Sequence, residues 1–198
     1  DADIPGGVDV MPGEYKTIVK MTEHADSTMV TAKLDPRSEM GITDFKAKVA
    51  AQKEYEKTIT SATEGFNRIV RAKKALKKVK KLMSNQDEEI VSEIDSLHKI
   101  LNTELDSLEK LYMMPEGLKG IQRNPNNLMG KLYSGSGYLR GSWGKPGANA
   151  INAVSDAQNI TKITLEAIND FIEERWNPYE SRIKEIQLKL FDDDIDPV

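Results

Sequence analysis

Two alternating stretches come first along the chain. Tyr15, Thr17, Val19 and Met21 fall on one side of an extended segment, with Lys16, Ile18 and Lys20 on the other, and a period of two predicts a strand. After a polar turn over Thr22 to Asp26, Thr28, Val30, Ala32 and Leu34 alternate with Met29, Thr31 and Lys33, and the second strand ends at Asp35-Pro36-Arg37. Residues 12–37 therefore predict a β-hairpin with one apolar face. The preceding residues 1–12, rich in Gly, Pro and Asp, read as extended linker. A lone two-stranded hairpin is marginal in water, so this one has to pack on something. The helices that follow are one candidate cover; the favoured expectation is a sandwich whose other strands lie upstream of Asp1.

From Gly41 the period becomes helical. Gln52, Tyr55, Ile59, Ala62, Phe66, Ile69, Lys73, Leu76, Val79 and Met83 keep one stripe on a helix from about Thr43 to Met83, with Thr43-Asp44 as its N-cap signal. A helix of that length spans about 60 Å. Ser84-Asn85-Gln86 reads as a turn, and the acidic Asp87, Glu88 and Glu89 suit the positive end of a second helix. Ile90, Ile94, Leu97, Leu101, Leu105, Leu108 and Tyr112 mark its stripe until Met114-Pro115-Glu116-Gly117 stops it. Between Gly117 and Gly147 the pattern is irregular: Asn127 to Tyr133 predicts a short helix, while Tyr133 to Gly147 carries many glycines, which disfavour one.

A last helix of about 40 residues starts at Ala148, with a stripe through Ile151, Val154, Gln158, Thr161, Leu165, Ile168, Ile172, Arg175, Tyr179, Ile183, Ile186 and Leu190. Pro178 lies inside it and predicts a kink rather than a break, because it removes one N–H and crowds the carbonyl of Glu174. The tail Asp192 to Val198 is acidic and expected to fray. The fold class expected is mainly α: an N-terminal hairpin (1–37 with its linker), then an antiparallel four-helix bundle (38–198) with very long first and last helices.

Composition sharpens this picture in three places. Hydrophobic residues make up 38% and charged residues 30% of the 198 positions, which suits exposed helices around narrow apolar seams. With no cysteine, disulfide frameworks, thiolate zinc sites and cysteine nucleophiles are all excluded. The net charge of -4 and pI near 5.4 give no overall attraction for nucleic acid or anionic membrane. No run of about 18 apolar residues is present to cross a membrane. The chain begins at Asp1 with no initiator methionine or visible signal peptide, so either a leader has been removed or this is an excised piece, the expectation that the N-terminal region favours.

One local exception to the acidic balance is the run from Arg68 to Lys81, in which Arg68, Arg71, Lys74, Lys77, Lys78 and Lys81 are candidate polyanion-binding residues alongside Lys73 and Lys80. The favoured reading is structural: an antiparallel turn of helices brings the run beside Asp87, Glu88, Glu89, Glu93 and Asp95, and cross-helix pairing neutralises much of it. Tyr133, Tyr138 and Trp143 are possible contact residues, or plugs for the open end of the bundle. His24 and His98 have no companion ligand at metal spacing and are expected at the surface without a role. Asp192 to Pro197 lacks the glycine and terminal glutamate of a calcium loop. Ser134 to Gly137 lacks the preceding strand of a nucleophile turn. No catalytic, cofactor-binding or metal residue is assigned, and no cofactor is expected.

PGEYKTIVKM, then STMVTAKLDPR, then a long helix opening with ITDFKAKVAAQKEYEKTIT is similar to the C-terminal region of large secreted β-propeller proteins with sortilin-type (VPS10, BNR/Asp-box) repeats, often classed with glycosyl hydrolases. The stretch from Leu128 to Leu190, with Trp176 near the middle of a long helix, adds to the resemblance. The family usually has a proline-threonine pair before the last helix, where this chain has Lys145-Pro146-Gly147-Ala148. The resemblance implies that the hairpin closes an Ig-like or fibronectin-like sandwich, that Asp35, Pro36 and Arg37 form its terminal element, and that the chain is extracellular or at the cell surface. It carries over no catalytic residue. The expected role is a non-catalytic structural or interaction module at the C-terminus of such a protein, with the upstream domains of the same polypeptide, or another protein, as partners. Nucleic acid and membrane contact are not expected, and a homo-oligomer is left open, since the apolar seams could serve a dimer.

Overall fold

The computed structural model describes residues 8–37, 39–83, 86–113 and 127–186. It contains an antiparallel hairpin, β1 (Gly13–Met21) and β2 (His24–Ala32), and the helices α1 (Ile42–Leu82), α2 (Glu88–Tyr112), α3 (Leu128–Arg140), α4 (Ala148–Phe171) and α5 (Asn177–Glu185). A π-helical turn, Ile172–Trp176, joins α4 to α5 without a break. The class is mainly α, as expected: four helical rods with very long first and last members, behind an N-terminal hairpin.

Side-chain contacts fix how these rods sit. Tyr112, at the end of α2, reaches Ala62 in the middle of α1, and Lys73 and Lys80 meet Asp106 and Asp95 further up, so α2 runs antiparallel beside the C-terminal half of α1. Tyr55 meets Leu132 and Lys48 meets the carbonyl of Arg140, so α3 also runs antiparallel to α1, beside its N-terminal half. The two middle helices thus lie end to end along α1. The α4–α5 rod passes both, pairing Asp156 with Lys131 of α3 and Arg182 with Glu93 of α2. One apolar cluster runs the length of the assembly, with Ile69, Leu105, Leu128 and Ile168 at its centre.

Tyrosines pin the rods at defined heights. The Tyr112 hydroxyl donates to the Ala62 carbonyl (2.9 Å), and Gly65, three residues on, makes room for the ring: a Cβ there would lie 2.5 Å from that hydroxyl and 2.6 Å from Leu165 Cδ2. Tyr55 repeats the arrangement on α3, donating to Leu132 (3.0 Å) beside Gly135, where a Cβ would lie 2.6 Å from the ring carbon Cζ. Burial pushes both phenols up to about 12, so each stays protonated and remains a donor. This contact explains why α3 continues through Ser134 to Arg140 despite its glycines, where the sequence predicts helix only to Tyr133. Helix propensity lost at Gly135 is offset by a tyrosine that only glycine can admit.

At Pro178 the rod does not break: a π turn carries it on, in which the Asn177 N–H bonds the carbonyl of Ile172, five residues back. The inserted residue shifts the seam by one position. Before it, Ala150, Ala157, Thr161, Thr164, Ile168 and Phe171 are buried; after it, Tyr179 is. The predicted stripe is right at Thr161, Ile168 and Tyr179, which are buried, and wrong at Ile151 and Gln158, which are exposed.

Smaller departures have local causes. Gly41, with no side-chain cap, precedes α1, in place of the Thr43-Asp44 cap. The hairpin turn is only Thr22-Glu23, with Thr22 at a φ of 52°, so His24 opens β2 and Tyr15 pairs with Val30. Residue 9 of the supposed linker is docked: the Gln52 amide exchanges hydrogen bonds with the Asp9 N–H and carboxylate, and the buried Lys48 lies 3.1 Å from the same carboxylate. Burial alone pushes that carboxyl up, yet the bonds from Lys48 and Gln52 hold it below its ordinary value. The expected turn at Ser84-Asn85, the stop at Met114 to Gly117 and the acidic tail lie outside the described residues.

Glycines in one protein should respond oppositely to alanine. Gly65→Ala is expected to cost about 1–3 kcal/mol through overpacking, while Gly137→Ala, on the open side of α3 with nothing near its Cβ, gains roughly 0.5–1 kcal/mol of helix propensity. Urea unfolding of the two variants checks both signs.

Candidate functional site

The expected contact aromatics do not plug the bundle. Buried Leu128, Leu132, Gly135 and Leu139 define the inner face of α3, which turns Tyr133 (71% exposed) and Tyr138 (51%) to solvent; Trp143 (86%) stands out in the turn that follows. Their exposure rules them out as core residues. The hairpin offers a second such surface. All of β1 is exposed, and Val19, Met21 and Val30 stand on one face with Tyr15, uncovered by any described residue.

The basic run is only partly neutralised. Lys73 is held by Asp106 (2.6 Å) and Glu109, whose bonds outweigh the effect of burial and keep its ammonium above the usual lysine value. Lys80 lies 3.6 Å from Asp95, and Arg68 donates to the amide oxygen of Asn169 (3.2 Å). Lys81 is also engaged. Among the described residues Arg71, Lys74, Lys77 and Lys78 form no ion pair. Full pairing with α2 fails because α5 competes for its acids: Glu93, expected opposite α1, is gripped by both nitrogens of Arg182 at 2.8 Å.

His98 is not a surface residue. It is 5% exposed, and its Nε2 lies 2.7 Å from the hydroxyl of Tyr179, itself 4% exposed. This third tyrosine contact pins α5 to α2, with the His98 and Tyr179 rings tilted against one another and Trp176 tilted against Tyr179 in turn. Its signal was in the spacing: position 98 continues the row of Ile94, Leu101 and Leu105. Burial holds the imidazole below its ordinary value, with nearby Lys80 adding to the effect and Asp95 opposing it. Burial also pushes the Tyr179 phenol up to about 12.

Among the described residues no group of three or more His, Cys, Asp or Glu is placed to hold a metal ion, and no helix is long and apolar enough to cross a membrane. What the geometry defines is a class, a rod-shaped helical module with exposed aromatic, apolar and basic surfaces. The chain matches no known protein family, and no curated protein or solved structure is significantly similar to it.

A neutral His98 is favoured in the folded state, so the unfolded chain takes up protons more readily below pH 6.5. Stability should fall as pH drops below that value and level off beneath the lowered folded value. Urea midpoints at pH 7.5, 6.5 and 5.5 should show this fall, and His98→Gln should remove part of it; identical profiles would contradict the assignment.

Proposed function

We propose that the chain is a non-catalytic structural or interaction module in the C-terminal region of a larger exported or cell-surface β-propeller protein. The observation that carries the interaction role is the hairpin: two nine-residue strands with an apolar face that no described residue covers. Such a hairpin gains stability when a further sheet or domain packs on it. The Asp35 carboxylate binds both the backbone N–H and the guanidinium of Arg37 at 2.7–3.0 Å, a self-contained joint between hairpin and α1. α1, with 41 residues, holds its two ends about 60 Å apart, which suits a spacer. Export and the propeller context rest on the sequence resemblance. Arg71, Lys74, Lys77 and Lys78, which form no ion pair among the described residues, favour a second reading, a polyanion-binding surface.

In the isolated chain, hairpin amides should exchange with deuterium within seconds while those of α1 and α2 near Leu105 are protected far longer, and Tyr15→Ser with Val30→Ser should leave the melting temperature unchanged. Equal protection, or a fall of several degrees, would assign the hairpin to the bundle and remove the docking role. An antibody to the bundle should label intact cells; labelling only after permeabilisation would contradict export. For the second reading, retention on heparin should weaken with salt and be lost when Arg71, Lys74, Lys77 and Lys78 become glutamine. Indifference to both would dismiss it.

A further inference from the structure

Beside the π turn the rods do not close. Arg68 still spans to Asn169, but one helical turn further along, α1 and the π segment part around a groove of about 550 Å³. Its floor is the buried core itself, Ile69, Leu105, Ile168 and Phe171. One wall is low because α1 carries Ala72 and Ala75 there; the other is built by Ile172 and Trp176 of the π turn. Arg68 and Arg71 stand on the α1 rim and Glu173 on the opposite rim. Glu180, also at the rim, is already occupied by Lys184 at 2.6 Å.

We infer that this groove binds a small apolar molecule with a single carboxylate head, of the fatty-acid or arylalkanoate type. Its volume and apolar floor fall within the range of small-molecule sites between helices. Positions three apart on a helix are neighbours, so Arg68 and Arg71 can converge on one head, and guanidinium groups recognise a carboxylate through paired charge-assisted hydrogen bonds. Arg71 has no ion pair among the described residues. A cationic head would meet two arginines and one available carboxylate, which disfavours it; Glu173 in turn repels a carboxylate seated the wrong way round. The π turn lies just before Pro178, and the empty volume owes itself to two alanines, Ala72 and Ala75, at positions where larger side chains would close the seam. The inference stands independently of the docking role proposed for the hairpin.

Trp143→Phe leaves Trp176, in the groove wall, as the sole tryptophan, so ligand entry can be followed by its emission. Dodecanoate, titrated below its micelle concentration, should give a saturable change, with dodecanol and dodecylammonium at least about tenfold weaker. Arg71→Gln should weaken dodecanoate binding about tenfold, Glu173→Gln should strengthen it, and Ala75→Leu, which fills the cavity, should abolish it while the helical circular dichroism is retained. If Ala75→Leu fails to fold, the exposed Arg71→Gln decides alone. Equal affinity for dodecanol, an unchanged Arg71→Gln variant or a non-saturable response would each overturn the proposal.

Discussion

A phenol that donates to a main-chain carbonyl inside a neighbouring helix needs room for its ring, which a glycine one turn along supplies twice here, and this constraint sets the register of the bundle. Tyr112 and Tyr55 each place a ring against a glycine and bond the carbonyl three residues before it. Leucine and isoleucine seams tolerate sliding by a heptad with little change in buried area, but a glycine notch exists at one height only. The carbonyls of Ala62 and Leu132 lie within helices, so the tyrosine bond adds to the helical pattern rather than replacing it. Together with Tyr179 on His98, these contacts tie α1 to α2, α1 to α3, and α5 to α2.

Fixing α2 and α3 at different heights on one face of α1 makes the α4–α5 rod the element that spans them both. A rod of that length must stay in phase with two partners. Up to Phe171 it meets α1 and α3 through small residues, Ala150, Ala157, Thr161 and Thr164, which allow close approach. From the end of the π turn it presents Trp176 and then Tyr179, which need more room. The change from small to large across one inserted residue is where α1 and the rod diverge, and the groove is the space left between them.

Much of this was legible in the sequence, for identifiable reasons. The hairpin and the extents of α1 and α2 follow from alternation and from stripes of large apolar residues, which dominate burial whatever their neighbours. α3 was cut short because glycine was weighed by propensity, and no local rule announces that Gly135 accommodates Tyr55, some 80 positions away. Along α4 the predicted stripe meets the core at Thr161 and Ile168 but passes over Ala150, Ala157 and Thr164, because alanine and threonine carry little apolar signal. His98 was set aside for its charged sequence neighbours, while its helical neighbours Ile94 and Leu101 put it inside. Among the candidate site residues, Tyr133, Tyr138 and Trp143 were found and their exposure was not, since amphipathic aromatics suit either a core or a contact surface. The groove left no trace, because an empty volume is written in the alanines that fail to fill it.

The exposed aromatic, apolar and basic surfaces are thus carried by rods whose relative heights are set by two notches, and the pairing of Tyr55 with Gly135 is what bears most directly on this. A double-mutant cycle of Tyr55→Leu and Gly135→Ala, followed by urea unfolding, measures this directly. The notch account predicts that the double variant is more stable than the sum of the single losses by at least about 1 kcal/mol, since the alanine methyl no longer meets a phenol. Additivity within about 0.5 kcal/mol would mean that the two residues do not act on one another, and the register would need another explanation.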